Sequence, residues 1–244
     1  VLNITSGDDG IHSDNELVID SGTINITKSY EGLESVNITI NDGSISVVAS
    51  DDGINVAGGN DGSSYGRPGE NNNNSSSDNK LVINGGKIYV NSKGDGLDSN
   101  GSIYMYGGEV IVEGPTDNGN GALDYDGEFI VDGGTLIAVG SQGMLQGVSS
   151  SSKQNNIIVY LDNTSAGSKI SVTDSDGTEI ITLTPTKTYS SLVVSSDKLK
   201  TNDTYNILID DTVYKTFTIS STTTSIGSLS GSGMNGMRGG RGMR

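Results

Sequence analysis

One short motif returns at near-constant spacing through the first 150 residues, and it limits what this chain can fold into more than any other feature. Asp/Glu-Gly-aliphatic occurs at Asp9-Gly10-Ile11, Glu31-Gly32-Leu33, Asp52-Gly53-Ile54 and Asp95-Gly96-Leu97. Looser copies stand at Gly121-Ala122-Leu123 and Gln142-Gly143-Met144. The aliphatic positions step by 22, 21, 43, 26 and 21 residues. After each motif comes an apolar strand (17–20, 38–41, 81–84, 103–106, 129–132), then a Gly or Asx turn, then another strand (23–26, 44–47, 87–90, 109–112, 135–138). A unit of three short strands with period 2, recurring at this interval, predicts one coil of a parallel β-helix. The expected fold is therefore all-β, a right-handed solenoid over 1–154, because parallel crossovers are almost always right-handed. Its inward stacks would be Leu17/Ile38/Leu81/Ile103/Phe129, Ile19/Ile40/Ile83/Met105/Val131 and Ile24/Ile45/Ile88/Val110/Leu136. An antiparallel sandwich offers no reason for the recurrence.

The step of 43 contains residues 58–79, which hold no aliphatic side chain and so read as a surface loop inserted in one coil. Residues 155–226 change character. They read as C-terminal strands of the same domain, with hairpin turns at Asp176-Gly177 and Asp210-Asp211, closing or extending the solenoid, since an uncapped end exposes pairing edges. The Gly, Met and Arg of 227–244 read as a flexible tail.

Composition narrows the function. Thirty acidic residues against 14 basic ones give a net charge of −16, which repels nucleic acid. No apolar run is long enough to insert in a membrane. There is no cysteine, and with His12 as the one histidine a multi-histidine zinc site is excluded. A secreted or extracellular monomer, which could associate with the cell surface, is the expectation, with Val1 opening a mature fragment.

Strands of adjacent coils lie about 4.8 Å apart, so a residue type repeated at one coil position stacks on itself. The position before the motif glycine is Asp9, Glu31, Asp52, Asp95, and the position after the aliphatic residue is His12, Glu34, Asn55, Asp98, Asp124. Asp8 and Asp51 stand two before the glycine. Turn chemistry alone accounts for part of the first column, but not for a second acidic or amide residue three positions later. Stacked carboxylates repel, and a hard cation reverses the sign of the interaction. Calcium accepts six to eight oxygens and suits ligands drawn from neighbouring coils better than magnesium does. The candidate calcium ligands are Asp95, Asp98 and Asp124 first, then Asp9, Glu31, Glu34, Asp51 and Asp52.

The units DDGIHS (8–13), YEGLES (30–35), DDGINV (51–56) and GDGLDS (94–99), followed by LVIDSG and LVINGG, resemble a family of secreted clostridial carbohydrate-binding β-helix proteins. That family is similar to non-catalytic relatives of the calcium-dependent pectate lyases. The resemblance covers about residues 1–150, and residues 185–210 are similar to the family's C-terminal part. It implies a right-handed β-helix, bound calcium, and binding to cellulose and acidic-sugar polysaccharides such as polygalacturonate. It also implies that the segment around Asp95 and Asp98 is similar to the lyases' calcium-ligand segment.

Three function classes remain. A pectate lyase needs a Lys or Arg base beside calcium, with Lys93, Lys87 and Arg67 as candidates. A binder needs only a face of aromatic rings and hydrogen-bonding groups, for which Tyr104, Tyr106, Tyr89 and Tyr65 are the candidates. A structural adhesin stalk would be longer and more uniform. Carbohydrate binding without cleavage is the expected function.

Overall fold

A computed structural model of the protein describes residues 1–57 and 79–228; Tyr65, Arg67 and the Gly, Met and Arg tail beyond 228 lie outside them. The described residues contain strands and turns and no helix. Six strands pair in parallel in a first sheet: Leu2–Thr5, Thr23–Ser29, Ser44–Ala49, Lys87–Ser92, Glu109–Glu113 and Thr135–Gly140. A second parallel sheet starts with Ile11–Ile19 beside Leu33–Ile40. It continues as pairs of short strands in line: Ile54–Val56 with Lys80–Ile83, Leu97–Ser99 with Ser102–Met105, and Leu123–Tyr125 with Phe129–Val131. The chain alternates between the two sheets, and each visit adds a strand beside the previous one.

The spacing of the repeat sets the register. Leu17 pairs with Ile38, Ile38 with Leu81, Leu81 with Ile103 and Ile103 with Phe129. In the first sheet Ile24, Ile45, Ile88, Val110 and Leu136 pair in the same succession. These are the stacks that alternation in the sequence predicts. From Ile38 through Leu136 they are buried in one continuous core with Leu33, Ile54 and Leu97 of the motif. Burying an aliphatic side chain of this size contributes about 1.5–3 kcal/mol, so the stack carries most of the stability of this half. Leu33–Ile40 pairs with Ile54–Val56 through its first residues and with Lys80–Ile83 through its last, so both sides of the insertion lie next to one strand.

The structure corrects one expectation. The sequence divides each repeat into three strands, but the first and second lie in one sheet and are continuous at 11–19 and 33–40. No glycine separates them there, and the extra residues are absorbed by a register shift between Ser13 and Glu16. In later repeats Gly101 and Asp126-Gly127 interrupt the strand.

Beyond Gly140 the first sheet turns mixed. Tyr189–Ser196 pairs antiparallel with Thr135–Gly140, Asn156–Thr164 pairs antiparallel with that strand, and Thr223–Ile226 pairs parallel with Asn156–Thr164. A third, antiparallel sheet contains Glu179–Leu183, Ile170–Asp174, Thr204–Ile209 and Thr212–Thr218, in that order. Asp210 and Asp211 form the two-residue turn between the last two strands, both at positive φ (47° and 62°), as such a hairpin requires. Ile170, Val172, Tyr205, Ile207 and Phe217 form a second apolar cluster with Ile137, Val139, Ile157 and Val194 of the first sheet. The C-terminal strands thus cover the outer surface of the first sheet around Ile111 and Ile137, while the outer surface of the second sheet carries other residues.

The motif glycines are fixed by close approach. Gly32 N–H donates to Asp52 O at 3.0 Å and Gly53 N–H to Asp95 O at 2.9 Å, which brings neighbouring motifs backbone to backbone. A Cβ on Gly53 would overlap Val90 Cγ1 and lie 2.6 Å from Gly96 O, whereas a Cβ on Gly7 would meet nothing within 4 Å. Gly53→Ala is therefore expected to cost about 1–3 kcal/mol through overpacking, and Gly7→Ala to stay within about 0.5 kcal/mol. Chemical denaturation of the two variants checks this, and equal stability would contradict the packing account.

Candidate functional site

The motif brings both acidic columns into register. In the second column His12 pairs with Glu34, Glu34 with Asn55, Asn55 with Asp98 and Asp98 with Asp124. In the first column the carboxylates reach across to the next repeat's backbone. Asp9 Oδ1 accepts from Glu31 N–H at 3.3 Å, Asp52 Oδ1 from Asp95 N–H at 2.7 Å, and Asp95 Oδ1 from Gly121 N–H at 2.5 Å. So part of the first column is turn chemistry carried from one repeat to the next. That uses one oxygen of each carboxylate.

The remaining oxygens face a poorly compensated interior. Glu31 is 6 %, Glu34 0 % and Asn55 7 % exposed. Asn55 Nδ2 donates to Glu31 Oε2 at 2.8 Å, yet Asn55 Oδ1 and Glu34 Oε1 are buried without a hydrogen-bond partner. An acceptor left dry and unpaired costs about 1–3 kcal/mol. Among the described residues no Lys or Arg lies within ion-pair distance of either column; the ion pairs there are those of His12, Lys153–Asp132 and Lys169–Asp211. The carboxyl groups respond accordingly. Burial, then the charges of neighbouring carboxylates, push Glu31 up to about 8 even against its bond from Asn55. Burial, with the charges of Asp52, Asp95 and Asp124, pushes Asp98 up to about 8. Asp52 rises to about 7 and Asp95 to about 6, again from burial first. Burial also raises Asp124. The Tyr30 hydroxyl, bonded to Asp51, is pushed up to about 12.

Two oxygens with no donor and at least five carboxyls held above their usual range form the environment that a cation stabilises. Ligands of the calcium type, all oxygen and drawn from successive repeats, are what the columns present from Glu31 to Asp124. Asp98 pairs in register with Asp124, and the charge of Asp124 raises both Asp95 and Asp98. These three do not close to within 4.8 Å as a group; among the described residues Asp9, His12 and Glu34 do.

The candidate tyrosines separate. Tyr89 is taken up internally: its hydroxyl donates to Glu113 Oε1 at 3.1 Å and accepts from Asn91 Nδ2 at 3.4 Å. Glu113 in turn accepts from Thr186 N–H at 2.9 Å, under the C-terminal strands. Tyr104 and Tyr106 stay on the outer face of the second sheet, with parallel rings 6.5 Å apart, and Tyr106 is 51 % exposed. Tyr104 pairs in register with Val82 and Ile130, and Thr39 and Val18 continue that column. Beside it runs an amide ladder absent from the sequence-based expectation. Asn41 Nδ2 donates to Asp20 Oδ1 at 2.7 Å, and Asn84 Nδ2 to Asn41 Oδ1 at 2.8 Å. The signal was in the sequence, since Asp20, Asn41, Asn84 and Tyr106 each end the second strand of a repeat. Lys93 and Lys87 are exposed. A half-buried lysine is Lys187, whose Nζ donates to Ser92 O at 2.6 Å and Glu113 O at 2.7 Å, fastening the C-terminal strands to the first sheet.

Residues 1–66 match a family model described as carbohydrate-binding domain-containing protein. No curated protein and no solved structure matches the chain.

Carboxyls raised in the folded state bind more protons folded than unfolded, so stability falls as pH climbs from their unfolded pKa, about 4, through their folded values of about 6 to 8. His12, held up to about 9 by Asp14 and then Glu34, acts in the same direction from its ordinary value upward. Chelator-treated protein is expected to melt at a lower temperature at pH 8 than at pH 5. Calorimetry at the two pH values measures it, and an equal or higher melting temperature at pH 8 would show that the columns are not strained by their own charge.

Proposed function

We propose that the chain is a secreted, calcium-loaded carbohydrate-binding protein that attaches to plant cell-wall polysaccharide, cellulose or acidic pectin-type polymers, without cleaving it. The alternation of the chain between two parallel sheets supports a right-handed β-helix as the scaffold. The observation that carries the function is the outer face of the second sheet: Tyr104 and Tyr106 with parallel rings, bordered by the Asp20–Asn41–Asn84 ladder. Pyranose rings bind to such a face by stacking on the aromatics and by hydrogen bonds to amides. Each ladder amide spends one donor on its neighbour and keeps the other for a ligand. The match of residues 1–66 to a carbohydrate-binding family supports the same reading.

Calcium, when bound, supplies positive charge to the columns. Glu31, Asp52, Asp95, Asp98 and Asp124 would hold it, with the Asn55 amide oxygen as a neutral complement. Because Glu31, Glu34 and Asn55 are almost wholly buried, these residues hold the repeats together instead of meeting polymer. Exposed Lys93 favours a binder over a lyase, since a base must stand in a defined place beside the substrate.

On this reading the protein is pulled down by insoluble cellulose or retarded in gels containing polygalacturonate, and releases no unsaturated, ultraviolet-absorbing products. Tyr106→Ala is expected to weaken cellulose binding about five- to tenfold, the loss of one stacking contact worth about 1–1.5 kcal/mol. Lys93→Ala leaves binding intact, and EDTA lowers the binding of acidic polymer more than that of cellulose. Release of unsaturated products that Lys93→Ala abolishes would replace this reading with a polysaccharide lyase.

A further inference from the structure

The first repeat breaks the pattern of the columns. Every other position in the second column is an oxygen ligand, Glu34, Asn55, Asp98 or Asp124, but the first is His12. His12 Nδ1 is in hydrogen-bond contact with Glu34 Oε2 and lies 3.7 Å from Asp9 Oδ2. One nitrogen and two carboxylates thus converge, with ligand atoms within 4.8 Å of one another.

Two further observations point to a ligand here. Glu34 is 0 % exposed, and its Oε1 is buried with no hydrogen-bond partner, although the same carboxylate faces Asp9. A buried carboxylate touching a second carboxylate, with a free oxygen, is costly unless a cation joins them. On the far side of the imidazole, Asp14 Oδ1 lies 3.1 Å from His12 Nε2. That contact holds the Nε2 proton and orients the ring so that Nδ1 faces Asp9 and Glu34, where it donates to Glu34 as long as no ion is bound. A carboxylate behind a histidine whose other nitrogen faces two acids is the outer-shell arrangement that orients metal-binding histidines.

We propose that Asp9, His12 and Glu34 form a site for a divalent transition-metal ion of the zinc class, chemically distinct from the oxygen-only positions farther along the columns. Imidazole nitrogen suits zinc and its first-row neighbours, whereas calcium takes oxygen ligands. The entering ion replaces the proton on Nδ1, which leaves to solvent; two carboxylate charges then face a dication. Tetrahedral zinc with three protein ligands keeps a fourth position for water or an outside donor, and the His12 side chain, 36 % exposed, borders solvent. The site stands on this geometry alone and holds whether or not the chain binds polysaccharide.

The test uses the full chain, freed of metal with chelator and then equilibrated with excess calcium so that oxygen sites are filled. Titration with zinc chloride by calorimetry is expected to show one equivalent bound per chain in the presence of that calcium. His12→Gln should remove this equivalent while the circular dichroism spectrum of the calcium-loaded protein keeps its strand signature. Asp14→Asn, which leaves all three ligands in place, should weaken zinc about 10- to 100-fold. Cobalt(II) in place of zinc reports the same site optically, with visible bands that His12→Gln abolishes. Failure of zinc to bind in excess calcium, or a zinc equivalent that survives in His12→Gln, overturns the proposal, the latter marking adventitious binding elsewhere on an acidic surface.

Discussion

Parallel pairing in register puts every side chain about 4.8 Å from its counterpart in the next repeat. For Ile38, Leu81, Ile103 and Phe129 this is favourable, because like packs on like in a dry stack. For Glu31, Asp52 and Asp95 the same geometry is costly, since it forces carboxylates together where water is scarce. The fold cannot have the first without the second. A one-residue slip that separated the acids would also turn the aliphatic stacks to solvent.

The structure handles this cost by several local means. One oxygen of each of Asp9, Asp52 and Asp95 accepts a backbone N–H from the next repeat, so it serves as a strut as well as a charge. Asn55 interrupts the run of acids and donates to Glu31. His12 takes the end of the column, between Asp9, Asp14 and Glu34. What remains, the free oxygens of Glu34 and Asn55 and the raised carboxyls, is the part left for a cation. On the proposed function the acidic edge acts mainly in cohesion, and recognition falls to a different surface, that of Tyr104, Tyr106 and the Asn41–Asn84 ladder.

Much of this was legible in the sequence because the repeat is strict. The core stacks, their register and the two acidic columns follow from spacing alone, as the pairing of Ile24 with Ile45 and of Asn55 with Asp98 illustrates. The division of each repeat was less legible: Gly101 and Gly127 break a strand that runs on through residues 11–19 and 33–40, where extra residues are absorbed as a bulge, and the repeat spacing is nearly the same in both cases. The fate of Tyr89 was also hidden. Glu113 is one repeat on, the register partner of Asn91, but Thr186, which closes over it, is 97 residues from Tyr89 and outside the repeat. The third sheet lies outside the repeat and so follows its own hairpins and its own apolar cluster. Asp20, Asn41 and Asn84 stand at equivalent ends of the strands 17–20, 38–41 and 81–84, and register stacks them.

The central claim is that buried carboxylate columns require bound cations to hold the repeats together. Metal analysis of protein purified without chelator, with the melting temperature measured on the same sample before and after metal removal, tests it most directly. The account predicts calcium in at least stoichiometric amount, and a melting temperature that falls when it is removed and returns when calcium is restored. Protein that carries no divalent metal as purified and melts at the same temperature with and without calcium would contradict it.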